Sequence, residues 1–70
     1  MAAHQRPSEL QKELLVNLME INEDLGRFAA LRDGETNVNR RNRWQSIADE
    51  LNAESGIQKK GSEWSDYWKQ

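Results

Sequence analysis

Apolar side chains fall into three helical patterns along the chain, separated by polar stretches that carry glycine. Between Ser8 and Asn22, Leu10, Leu14, Leu18 and Ile21 recur at steps of three and four, while Glu9, Lys12, Glu13 and Glu20 take other faces. At about 100° per residue this spacing makes one apolar stripe, widened by Leu15 and edged by Met19. Pro7 beside Ser8 marks a helix start, and Ser8 with Gln11 has the Ser-x-x-Gln spacing of a capping box. The pattern predicts a first helix over about 8–22.

Trp44, Ile47, Ala48 and Leu51, at i, i+3, i+4 and i+7, predict a second helix over about 38–52, capped by Thr36 or Asn37. Asn52-Ala53-Glu54-Ser55-Gly56 reads as its stop, with Gly56 expected in the left-handed cap conformation. Trp64, Tyr67 and Trp68 predict a third helix over about 61–70, with Gly61 or Ser62 as cap. No stop signal follows, so the chain is expected to continue beyond Gln70. Residues 23–37 form an irregular link broken by Gly26 and Gly34, in which Leu25, Phe28 and Leu31 suit an anchoring turn and leave room for a short extra helix. Strand alternation is missing throughout. The expectation is a single all-α domain over 1–70, a three-helix bundle whose core is Leu14, Leu18, Trp44, Ile47, Leu51, Trp64 and Trp68.

Size and composition narrow the function classes. Seventy residues are near the lower limit for a chain that folds unaided, so the aromatic side chains must carry much of the burial. With no Cys and one His, disulfide scaffolds and the usual structural zinc sites are excluded. The absence of a long apolar run predicts an intracellular chain without a membrane span. Catalysis has no foothold: His4 stands alone near the terminus, no serine has a histidine placed to activate it, and the adjacent Asp49 and Glu50 point to different helix faces. The dispersed glycines match no phosphate-binding loop, so neither a cofactor nor a small-molecule substrate is expected.

Charge is uneven. The net charge is -2, but residues 1–36 sum to -3 and residues 37–70 to +1. Arg40, Arg41 and Arg43 occupy the first turns of the second helix, where the helix dipole disfavours cations. They are either ion-paired and solvated or poised for phosphate, and the same two readings apply to Lys59 and Lys60. Glu9, Glu13, Glu20, Glu23 and Asp24 make a solvated acidic face or meet a basic partner. Leu15 or Met19 would serve as self-association anchors if the core cannot hold both.

The segments Gln11–Glu20, Arg43-Trp44-Gln45-Ser46-Ile47-Ala48-Asp49-Glu50-Leu51-Asn52-Ala53 and Glu63-Trp64-x-x-x-Trp68-Lys69, with Gly56 between the last two, resemble the Myb/SANT-like DNA-binding domains of the type found in the insect regulatory protein zeste. The resemblance covers nearly the whole chain, and its most specific parts are W-x-x-I-A-x-x-L-N-A and W-x-x-x-W. It implies a helix-turn-helix fold with a tryptophan-rich core, a third helix entering the DNA major groove, and a nuclear transcription or chromatin regulator. Residue by residue, it directs Arg40, Arg41, Arg43, Lys59 and Lys60 toward the phosphate backbone and Ser62, Ser65, Asp66 and Lys69 toward the duplex from the third helix. Helical projection places Ser62, Asp66 and Lys69 outward, with Glu63, Ser65 and Gln70 on the flanks. Glu63 and Asp66 depart from the family pattern, because carboxylates repel phosphate and can only accept from cytosine N4. The alternative implied by SANT-like relatives is a protein-interaction or oligomerisation module without direct DNA contact. Double-stranded DNA is the first expected partner and a protein or a second copy the other.

Overall fold

The computed structural model describes residues 6–69, so His4 and Gln70 lie outside the described residues. Helix α1 spans Glu9–Ile21, α2 Glu23–Gly26, α3 Asn37–Asn52 and α4 Gly61–Lys69. The three long helices build the bundle, and α2 is a single turn inside the link. No strand occurs among the described residues.

The capping box at the start of α1 is complete. Gln11 N–H donates to Ser8 Oγ at 3.1 Å and Ser8 N–H donates to Gln11 Oε1 at 3.0 Å, so two otherwise unpaired donors are satisfied locally. The stripe that α1 buries is rotated from the expected one. Gln11, Leu15, Leu18 and Met19 face inward, whereas Leu10 and Ile21 are exposed and Leu14 is half-buried. Leu15 and Met19 are therefore core residues, and neither is an exposed anchor for self-association.

The rotation follows from the amide of Gln11, which is fully buried. Its Nε2 donates to Leu51 O at 3.0 Å and to Ile57 O at 2.7 Å, and its Oε1 accepts from Ile57 N–H at 3.2 Å. These bonds tie α1 to the end of α3 and to the following loop, and a polar side chain thereby takes a core position that a hydrophobic count gives to leucine. Gly56 serves this arrangement and does not cap α3, whose C-cap is Ala53 in the right-handed region. Gly56 has φ 145°, and a Cβ there would overlap the Gln11 side chain.

Helix α3 begins after Thr36, whose hydroxyl accepts from Asn39 N–H at 3.1 Å. Trp44, Ile47, Ala48 and Leu51 form its buried face. They meet Leu15, Leu18, Met19, Leu25 and Trp64 in one core, against which Leu14, Ile57, Tyr67 and Trp68 pack partly buried. Trp44 stacks on Phe28, centroids 6.2 Å apart, and Tyr67 meets Trp64 edge-on at 6.0 Å. Trp68 is only half-buried, with its Nε1–H donating to Gly26 O at 2.8 Å. Phe28 has φ 53°, a strained value for a bulky residue, and its place over Trp44 fixes it there.

Candidate nucleic-acid interface

The connection from α3 to α4 is a turn held by side chains of α3. Asn52 Oδ1 accepts from Lys59 N–H at 3.0 Å and from Trp64 Nε1–H at 3.1 Å, while its Nδ2 donates to Lys59 O at 2.8 Å. One amide thus locks the loop and orients the buried indole. Lys60 O accepts the first helical bond of α4, from Trp64 N–H at 2.9 Å, so Lys60 holds the cap position expected of Gly61 or Ser62. Glu63 completes the start by accepting from Lys60 N–H at 2.8 Å.

Gly61 is buried against α3. A Cβ at this position would lie 2.9 Å from Gln45 N and 3.0 Å from Gln45 Cα, which only backbone movement could relieve. Gly61 N–H instead donates to Gln45 Oε1 at 3.2 Å. The first turn of α4 therefore sits directly on the α3 backbone, the close crossing that a helix-turn-helix requires. With Gly61 and Trp64 turned inward, Ser62, Glu63, Asp66 and Lys69 are exposed and Ser65 is half-buried.

The cations expected at this surface separate into two groups. Arg41 is exposed on α3, one turn before Gln45 and hence on the side where α4 starts. Lys60 is exposed and Lys59 half-buried at that same end, while Lys69 lies at the other end of α4 with its Nζ 5.1 Å from the Phe28 ring centroid. Arg41, Lys59 and Lys60 make no ion pair among the described residues.

Arg40 and Arg43 turn into the link and are ion-paired there, the first of the two readings open for the arginine run. Arg43 binds Asp24 through both terminal nitrogens, at 2.7 and 2.9 Å, and reaches Glu35 at 2.7 Å. Arg40 pairs with Glu35 at 3.0 Å and Asp24 at 3.3 Å and donates to the Ala29 carbonyl. Hydrogen bonding from Arg43 holds the Asp24 carboxyl well below the usual carboxylate range, against the desolvation that acts the other way, and lowers Glu35 too. The same contacts raise Arg43 further above its ordinary value. These carboxylates explain the places of Arg40 and Arg43 in α3.

Sequence spacing did not single out Gln45 or Asn52, and it placed Phe28 in an anchoring turn and Asp24 on an acidic face without giving either its partner. Only the pairing of acidic Asp24 and Glu35 with an arginine run was a signal, since the link carried the excess negative charge.

No helix among the described residues is long and apolar enough to cross a membrane. No curated protein and no solved structure matches the chain. The family model for the Myb/SANT-like DNA-binding domain matches residues 4–70. That match spans the capped first helix, the Gln11 tie, the α3–α4 crossing and the tryptophan core, and the chain belongs to the Myb/SANT-like DNA-binding domain family.

Proposed function

We propose that this domain binds double-stranded DNA sequence-specifically, as part of a nuclear transcription or chromatin regulator of the zeste type. Helix α4 enters the major groove with Ser62, Ser65 and Asp66 toward base edges, and Arg41, Lys59, Lys60 and Lys69 contact phosphates on either side. The observation that carries this reading is the seating of Gly61 on the α3 backbone, which leaves one exposed α4 face with lysines at both ends. Asp66 fits as an acceptor for cytosine N4 once neighbouring cations supply the affinity. The W-x-x-I-A-x-x-L-N-A segment supports the zeste type.

A salt titration of duplex binding tests the reading. If the four cations each neutralise one phosphate, the log-log slope is about -3.6, and Arg41→Ala or Lys60→Ala flattens it by about 0.9. Absence of binding to any duplex at low salt overturns the proposal.

The exposed carboxylate of Asp66 favours a second reading, a protein-interaction module that meets a basic partner through α4. Glu63 also caps α4, so Asp66→Lys is the cleaner probe. Under the second reading this variant loses the protein partner, and a gain of duplex affinity without loss of any protein partner counts against it.

A further inference from the structure

We infer that the groove between α1 and the end of α4 docks an amphipathic segment of a protein partner that carries basic side chains beside an apolar anchor. The groove is open to solvent and spans about 450 Å³, with Val16, Met19, Gly26 and Trp68 as its floor and Glu20, Glu23 and Arg27 on its rim. That size lies within the roughly 300–1,000 Å³ of pockets that hold ligands. Its floor is held in place, since Trp68 Nε1–H donates to Gly26 O at 2.8 Å and a Cβ on Gly26 would come 3.2 Å from Met19 Cβ. Val16 is 44% exposed here, and a second hollow lined by Lys12, Glu13, Val16 and Asn17 continues the groove along α1. Methionine and a half-buried indole make an adaptable apolar floor for an inserted side chain.

Charge selects the occupant. Glu23 is paired with Arg27 at 3.3 Å and Lys12 with Glu9 at 3.4 Å, whereas Glu13 and Glu20 have no cation partner among the described residues. Two open carboxylates beside apolar floor attract lysine or arginine. Arg27 and Lys12, the cations that line the groove and its extension, are already held by Glu23 and Glu9, so the open carboxylates of Glu13 and Glu20 favour a partner that brings its own basic side chains. The groove shares no residue with the α4 face assigned to DNA, and this inference does not depend on that assignment.

The test is a nuclear magnetic resonance titration of the full chain with a synthetic amphipathic helix bearing leucine anchors flanked by lysines. Two control peptides replace the lysines by glutamates or the leucines by serines. The expected result is a saturable shift of the Trp68 indole N–H and of the Val16 and Glu20 amides, lost with both controls. Val16→Lys and Glu20→Lys each weaken binding at least about tenfold, while Glu50→Lys, the same charge change on exposed α3, does not. Both groove variants alter exposed helix positions to a good helix former, and unchanged melting verifies the fold. Equal binding of the glutamate peptide, equal weakening by Glu50→Lys, or shifts confined to the outer face of α4 overturns the inference. Concentration-dependent shifts of the groove resonances without peptide assign it to a second copy and also overturn it.

Discussion

Gln11 shows how one side chain sets the arrangement of several elements. Its amide satisfies the Ile57 carbonyl and N–H and adds a second bond to the Leu51 carbonyl, which also accepts from Glu54 N–H, so Gln11→Leu leaves the two Ile57 groups without a partner at about 1–3 kcal/mol for each one that stays buried. For a domain of this size the melting temperature is expected to fall by at least about 5 °C, measured by circular dichroism. Gly56→Ala drives a methyl into the same amide and is also strained at φ 145°. Because both changes act on one contact, a double-mutant cycle with Gln11→Ala is expected to show strong non-additivity, and simple addition would disprove the coupling. Trp44→Ala removes a core indole that also supports Phe28, at about 3–5 kcal/mol, enough to unfold so small a domain. The pairing of Ser8 with Gln11 was legible because capping is local. The reach of Gln11 to Ile57 was not, since nothing in the spacing of neighbours specifies a partner so distant in the chain.

At the scale of elements, the link and α3 act as one electrostatic unit. Asp24 and Glu35 hold Arg40 and Arg43, with Arg32 adding a contact to Asp24 at 3.4 Å. A carboxylate whose pKa is lowered by folding stabilises the fold above its unfolded value of about 3.9, and that contribution disappears as the pH falls through the folded value. The melting temperature is therefore expected to hold between about pH 7 and 5 and to drop below about pH 4. Asp24→Asn lowers it at neutral pH and removes part of the acid-side drop, and an unchanged acid profile would assign that drop to other carboxylates. The alternation of apolar and polar residues identified the helices themselves, because period and capping are properties of the backbone and its near neighbours. It misjudged the face of α1, since Leu10, Leu14, Leu18 and Ile21 make as regular a stripe as the buried one.

Over the whole molecule, the arginine run divides between Arg40 and Arg43, which are ion-paired with the link, and Arg41, which is exposed on the surface proposed for DNA. Arg41→Ala is expected to flatten the salt dependence of duplex binding while leaving the melting temperature unchanged. Arg43→Ala is expected to do the reverse, because it removes the closest cation of Asp24 and Glu35 and leaves Arg40 as the only one they share. A flattened slope in Arg43→Ala at full stability would return that residue to the DNA surface. The net charge of -2 is no veto on such a surface, because the acidity is concentrated in α1 and the link, where part of it is spent on arginines.

The sequence by itself determined the all-helical class, the three principal helices, the capping box and the tryptophan-bearing core, since each depends on spacing within a few turns. Only the tertiary structure decided which α1 stripe is buried, which arginines remain exposed, and where α4 crosses α3. Those outcomes depend on contacts between residues far apart in the chain: a buried amide, a pair of carboxylates in the link, and a glycine that lets two backbones meet.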